Sequence, residues 1–380
     1  MNTSSLTPSQ LLKLKRDELI EMCAVLGIVK CKSKTKPILV SLIINKLQPP
    51  VINETHIKSE TNIHQLNALD LFCGCGGMSQ GLTQAGINVI AGIDVWERAI
   101  ESYNSNHTGG RCADLTSFSP EEFAKSTILA NSQHIDLICG GPPCQGFSIA
   151  GKRANNDPRN SLFVEFVKYI EYFKPKAFIM ENVVGILSMK TPNNELVIDI
   201  IMQHFTNYNT CINKLYASDF EVPQNRRRII IVGIRKDLNI QPSTITPYTQ
   251  NRIPVKTVLQ PREEIDSSYY LSDRALSGIA NKKAKSKSRG AGFGAQYLDL
   301  EKPSYTIPAR YWKDGYDALV RYTDTEVRRL TLLELKRIQS FPDDYVLCGT
   351  KKDMVIQIGN AVPCKLAYHL GKYIINTLHI

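Results

Sequence analysis

An α/β fold built on a doubly wound parallel sheet follows from three features of the chain. From Leu66 onward, apolar runs of strand length alternate with stretches of helical spacing, the pattern of a parallel sheet covered on both faces. A glycine-rich turn, Gly74 to Gly77, directly follows the first such run. The next run ends in a carboxylate, Asp94, where sheets of this kind bind ligands at their carboxyl edge. Two parts stand outside the alternation: a small helical module before it and a basic, loop-rich region near 238–305.

Taken in order, Asp17 to Leu26 has helical apolar spacing and stops at Gly27. A basic stretch (Lys30, Lys32, Lys34, Lys36) leads into a second helical segment, Pro37 to Leu47. Helix, basic turn, helix resembles the SAP-type and Rho-N-terminal-type nucleic-acid-binding modules. A helical hairpin that packs on the main body or on a protein partner has the same pattern. Pro49-Pro50 and the polar stretch to His64 read as a linker. Asn67–Phe72 is the first expected strand, Gly77–Ala85 a helix, Ile87–Asp94 a strand and Glu97–Ser105 a helix. Ile135–Cys139 and Ala177–Glu181 are further strands on either side of an amphipathic segment, Ser161–Tyr172. Arg228–Ile234 is a very apolar late strand, and Cys364–Leu378 is a helix. From about Leu238 to Tyr305 the rhythm is lost, and Pro, Ser, Lys and Gly dominate, notably in Lys282–Gly290. The expected division is 1–48 for the helical module, 49–65 for the linker, 66–237 for the main α/β domain, 238–350 for a small domain and 351–380 for a returning segment.

A chain of 380 residues with a net charge of +10 is long enough for two or three domains, and its charge favours an anionic partner, most simply nucleic acid. The ten cysteines form no CxxC pair and no disulfide framework, which disfavours structural zinc and fits a reducing, intracellular compartment. No metal site is expected. No apolar run approaches the roughly 20 residues of a membrane span, so no membrane partner is expected, and the N-terminus lacks a signal pattern.

Cys144 sits in Gly140-Gly141-Pro142-Pro143-Cys144-Gln145-Gly146-Phe147-Ser148, after an apolar strand. Prolines stiffen the loop, and glycines on both sides let a substrate approach. A thiol held in this way is a candidate nucleophile, although most free cysteines are small buried hydrophobes. The turn Asp70-Leu71-Phe72-Cys73-Gly74-Cys75-Gly76-Gly77 lets backbone approach a cofactor. Asp94 lies where a carboxylate takes ribose hydroxyls, and Asp114 could accept from an adenine amino group or simply be a solvated loop acid. Together they outline an adenosine-plus-amino-acid site. The absence of a Walker Lys-Ser/Thr disfavours ATP.

These strings, in order with Glu181-Asn182-Val183, Gln224-Asn225-Arg226-Arg227-Arg228, Arg329-Leu330-Thr331, Phe341-Pro342-Asp343-Asp344-Tyr345 and Gln357-Ile358-Gly359-Asn360-Ala361-Val362-Pro363, resemble the DNA (cytosine-5)-methyltransferase family. The resemblance runs from Leu66 to the C-terminus, apart from the stretch near 238–302. It implies a Rossmann-like S-adenosylmethionine-dependent methyltransferase sheet with a target-recognition domain. It implies that Cys144 attacks C6 of a flipped-out cytosine, that Glu181 supplies a proton or hydrogen bond at N3, and that Arg226 and Arg228 anchor the base and the thiol loop. For the cofactor, S-adenosyl-L-methionine (product S-adenosyl-L-homocysteine), it implies Phe72 on adenine, Gly74 and Cys75 at the methionine end, Asp94 on the ribose and Asp114 on the adenine amino group. Pro143, Asn360 and Ala361 would close the site, with Asp70, Gly76, Val95 and Leu115 in the same pocket. Many relatives carry an aromatic residue where this chain has Val95, with Trp96 one place later. Gln145, Ser148, Asn182 and Gln224 are expected on the substrate and DNA side. Gly146 to Arg159 should close on DNA as a loop, and the variable stretch should carry sequence specificity.

The function implied is sequence-specific cytosine-5 methylation of double-stranded DNA. The setting resembles a restriction–modification system with an endonuclease that acts independently, or a viral or orphan enzyme. The protein would be a monomer, in the cytoplasm or nucleoid, or in a nucleus for a eukaryotic or viral source. Two other readings compete: tRNA cytosine-5 methylation, whose branch typically carries a Cys-Phe-Thr tripeptide absent here, and a catalytically silent DNA-binding regulator, which the intact Cys144, Glu181, Arg226 and Arg228 disfavour.

Overall fold

The computed structural model describes residues 14–25, 36, 39, 43, 65–126, 134–143, 161–191, 193–288 and 295–379. Cys144, Gln145 and Ser148, the linker, and the loop of 146–159 lie outside the described residues. The chain divides into two compact units, Met1–Asn62 and Ile63–Ile380.

In the first unit, α1 (Arg16–Val25) opens with Asp17 and Glu18 in its first turn, where carboxylates complement the helix dipole. Leu19 and Cys23, one turn apart, are fully buried, as are Leu39 and Ile43, also one turn apart in helical backbone. This i,i+4 spacing is the apolar stripe that a packed helix requires.

The second unit is built on a seven-stranded sheet: β1 (Asn67–Leu71), β2 (Asn88–Asp94), β3 (Gly110–Cys112), β4 (Leu137–Gly140), β5 (Ala177–Val183), β6 (Tyr208–Tyr216) and β7 (Arg227–Arg235). Their order across the sheet is β3-β2-β1-β4-β5-β7-β6. All pairs are parallel except those of β7, which runs antiparallel to both β5 and β6. The order reverses between β1 and β4, so the crevice at their carboxyl ends is the switch point where such sheets bind ligands. Strand β7 is buried continuously from Ile229 to Ile234, as a strand covered on both faces must be. Gly233 is required within it, because a Cβ there would lie 2.0 Å from the Phe178 ring.

The helices are α2 (Gly77–Ala85), α3 (Glu97–Asn106), α4 (Pro120–Ala124), α5 (Ser161–Phe173), α6 (Val197–Gln203), α7 (Asp273–Ser288), α8 (Leu332–Ile338), α9 (Lys351–Asn360) and α10 (Cys364–Leu378). One face of the sheet packs Ile138, Phe178 and Ile229 against Phe166 and Ile170 of α5 and Ile201 of α6. The other packs Leu137, Ile179 and Ile230 against Leu82 of α2 and Leu366, Leu370 and Ile374 of α10. Strands β3 and β6 and helices α4, α6, α8 and α9 are absent from the sequence expectation. The stretch read as loop-rich contains the 16-residue helix α7, whose backbone takes in the lysine run as far as Ser288.

A third cluster joins Val255, Leu298, Ile307, Tyr311, Leu335 and Ile358 beside the hairpin β8 (Leu319–Arg321) and β9 (Val327–Arg329). At its centre Arg328 donates twice to Glu334, at 2.8 and 2.9 Å, with both side chains fully buried. Glu334 also closes the capping box of α8 with Thr331 and accepts from the Gln260 backbone N–H at 3.0 Å. A buried ion pair this fully satisfied avoids the cost of an unpaired charge.

Candidate active site

The site is assembled at the carboxyl edge of β1, β2, β4 and β5. Strand β1 ends at Leu71, and Phe72 turns into a left-handed conformation with φ 58°. Gly74 and Gly76 follow, also with positive φ, before α2 starts. A Cβ built on Gly74 would meet no atom within 4 Å, so the space over this backbone is open. Asp94, at the end of β2, accepts from Gly74 N through Oδ2 and from Trp96 N through Oδ1, both at 2.9 Å. Its carboxylate thus ties two loops together at one edge, and burial raises its pKa against the pull of those amides. Asp114 accepts from Thr116 N and Oγ1 at 2.9 and 2.8 Å, which fixes the turn after β3. Asp70 is buried beneath the turn and accepts from the Ser79 hydroxyl at 2.7 Å.

The opposite wall comes from β4, β5 and β7. Asn182 donates to the Pro142 carbonyl at 3.1 Å and so holds the loop that runs into Cys144. Register places Glu181 opposite Ile230 and Val183 opposite Arg228, so Glu181 and Arg228 are diagonal neighbours. Arg228 Nε lies 2.6 Å from Glu181 Oε1, a close ion pair at the cavity wall. Arg228 Nη1 donates to the Arg227 carbonyl. Arg226 is buried and donates from Nη1 to Gly359 O at 3.0 Å and to Ile307 O at 3.4 Å, while its Nε finds no acceptor among the described residues. Burial, then the adjacent Arg228 cation, pull its pKa down to about 9, with Glu181 holding it up. A buried guanidinium N–H with no acceptor among the described residues, that of Arg226 Nε, is costly, and a polar partner would relieve it.

One cavity of about 920 Å³ runs between these walls, within the range of small-molecule sites. It is lined by Asp70, Phe72, Gly74, Cys75, Asp94, Val95, Asp114, Leu115, Pro143, Asn360 and Ala361 from the cofactor side of the sequence reading. Glu181, Asn182, Arg226 and Arg228 line it from the substrate side. Pro143, immediately before Cys144, is at its wall. Gly76 and Gln224 are not in the lining. Gly76 lies behind the turn, where a Cβ would come within 2.7 Å of the Tyr345 hydroxyl. Gln224, expected on the DNA side, is fully buried. It donates to Gln339 Oε1 at 2.8 Å and accepts from Ile307 N at 3.0 Å, so both ends of its amide are used inside the protein. Val95 is 67% exposed, and Trp96 lines the cavity beside it. The sequence reading gives no site role to Met78, Leu162, Met189, Thr306, Pro308 or Gln357, all of which line the cavity. Thr306 and Pro308 come from the stretch between β7 and β8, where no periodic pattern points at them.

The model of C-5 cytosine-specific DNA methylases matches residues 66–376. The Type II methyltransferase M.DdeI of Desulfomicrobium norvegicum is 40% identical, over 81% of this chain and 88% of that protein. M.FnuDI of Fusobacterium nucleatum is 33% identical over 82% and 95%, and M.SsoII of Shigella sonnei 32% over 82% and 80%. The crystal structure of S. pombe Dnmt2 methyltransferase superposes with a TM-score of 0.64 at 18% identity, over 83% of this chain and all of that one. That of the Entamoeba histolytica methyltransferase EhMeth does so with a TM-score of 0.64 at 19% identity, over 83% and 99%. At such identities these two speak for the fold alone. Sheet, cavity and sequence agree over the same span, and the chain belongs to the C-5 cytosine-specific DNA methylase family.

Proposed function

We propose that the protein methylates C5 of a cytosine flipped out of duplex DNA at a short recognition sequence, through a covalent bond from Cys144 to C6. The observation that carries this is a single cavity that unites the Gly74 turn and Asp94 with the Glu181–Arg228 pair and the start of the thiol loop. The residues suit S-adenosylmethionine: open space above Gly74, an aromatic ring at Phe72, and carboxylates at Asp94 and Asp114 with lone pairs to spare. When bound, that cofactor supplies an electrophilic methyl on a sulfonium.

Cytosine C5 is a poor nucleophile, and a thiolate added at C6 gives it enamine character. Pro142 and Pro143 stiffen the approach of Cys144, and Asn182 anchors the Pro142 carbonyl. Glu181 supplies the proton or hydrogen bond at N3 as charge builds on the ring. Arg228, a cation held beside Glu181 at the cavity wall, suits the O2 acceptor of the base. Arg226 reaches both the small domain and the returning segment through backbone carbonyls, which supports an anchoring role for it. Loss of the C5 proton and expulsion of Cys144 complete turnover. A base in the stack cannot reach such a cavity, so flipping is required.

The small domain of 238–350 is proposed to read sequence, and the module of 1–48 to add nucleic-acid affinity. A monomer acting inside the cell, with any endonuclease acting independently, fits one target cytosine per half-site. The test is transfer of labelled methyl to duplex DNA. Cys144→Ser and Glu181→Gln should each lower it by about 10²-fold or more, with cofactor binding kept. Undiminished transfer by Cys144→Ser would overturn the covalent route.

A further inference from the structure

The cofactor turn is held from behind by residues that the chemistry does not use. Tyr345, buried in the segment after α8, donates its hydroxyl to the Cys75 carbonyl at 2.5 Å. The N–H of the same peptide unit, that of Gly76, donates to Cys73 O at 2.9 Å. The Cys75–Gly76 peptide plane is therefore pinned at both ends. His107 Nε2 lies 3.0 Å from the Tyr345 hydroxyl. Burial holds its pKa down to about 4, so the ring is neutral near pH 7. Since the Tyr345 proton goes to the carbonyl, His107 Nε2 is the donor to the tyrosine oxygen.

The pair is itself fixed. The Tyr345 ring packs on Phe341 at 4.7 Å, and His107 on Tyr103 at 4.9 Å between centroids. Lys336 Nζ donates to Tyr345 O at 2.9 Å, and Asn106 takes both the N–H and the carbonyl of Val346 at 2.9 and 2.8 Å. Gly76 is the only residue type with room: its φ is 94°, and a Cβ would lie 2.7 Å from the Tyr345 oxygen and 2.8 Å from His107 Cδ2.

We propose that Tyr345 and His107 are positioning residues for the cofactor turn, presetting the Phe72–Gly76 backbone for S-adenosylmethionine through the Cys75 carbonyl. The proposal rests on the cofactor reading above. Its test is calorimetric titration of the full chain with S-adenosylmethionine and with S-adenosylhomocysteine. Wild type, Tyr345→Phe, His107→Phe and the double variant are compared, all of which keep the ring packing. Each single change should weaken cofactor binding about tenfold, the scale of one buried hydrogen bond. Because both act through one hydrogen-bonded chain, the double variant should be no worse than about the weaker single. The kcat at saturating cofactor and the DNA Kd without cofactor should stay within about twofold. Unchanged cofactor Kd in a Tyr345→Phe protein of normal melting temperature would overturn the proposal, as would additive losses or an equal loss of DNA affinity. If Tyr345→Phe does not fold, His107→Phe carries the same expectations. Wild type that binds neither compound would overturn the cofactor reading itself, an outcome distinct from the others.

Discussion

Glu181 and Arg228 show why residue identity in this site is readable and side-chain state is not. The Glu-Asn-Val and Arg-Arg-Arg strings flag both side chains in the sequence, but only the register of β5 on β7 makes them diagonal partners. Gln224 shows the converse: an amide within a site motif whose two ends are used inside the protein. Thr306, which lines the cavity, has no flanking pattern that could have pointed to it. Asp70 yields a prediction at this scale. Burial lifts its pKa from 3.8 to about 7, with the Ser79 hydroxyl pulling the other way. The folded chain therefore holds this proton more tightly than the unfolded one. The stability it contributes is whole below pH of about 4 and is lost as pH rises through about 7. Asp70→Asn should remove that slope, a difference on the order of 4 kcal/mol between pH 4 and 8 in denaturant unfolding compared with wild type. An identical pH dependence in both proteins would contradict it.

At the scale of elements, the sequence was legible where apolar periodicity is strong. Helices α2 and α10 have the bounds that their patterns predict, and β1, β2, β5 and β7 agree within a residue or two. Three-residue β3 is too short to show a period, and β6 alternates irregularly because it is an edge strand with few buried positions. Helix α7 reads as loop in the sequence because its apolar residues, Ala275, Leu276 and Ile279, are confined to its first two turns, and the rest relies on the helical propensity of Ala and Lys. Close approach of α2 and α10 is equally invisible before folding. A Cβ on Gly81 would lie 2.2 Å from Cys364 O and 2.5 Å from Ala367 Cβ. The obstacle is partly backbone, so it cannot rotate away. Gly81→Val should therefore lower stability by about 2–3 kcal/mol or more, read as a fall in Tm, and should weaken cofactor binding through the shifted turn. A variant as stable as wild type would show that the two helices can part at little cost.

For the whole molecule, the family match begins at residue 66, so the unit Met1–Asn62 lies outside it and the second unit carries the methyltransferase. Within that unit, chain ends meet at the site: Asn360 and Ala361 face the same cavity as Phe72 and Gly74, nearly three hundred residues earlier. The order of motifs made this closure readable in the sequence, whereas the contribution of Thr306 and Pro308 needed the fold. A net charge of +10 suits a duplex DNA substrate, whose affinity should fall steeply with salt. The family's own description names DNA, which leaves the tRNA and silent-regulator readings unfavoured. The decisive measurement is conversion-based sequencing of 5-methylcytosine in DNA from cells that express the protein, against Cys144→Ala. One short motif methylated at C5 only with the intact thiol is the expected result. A genome left unmethylated by folded, cofactor-binding protein, or methylated equally by Cys144→Ala, would contradict the mechanism.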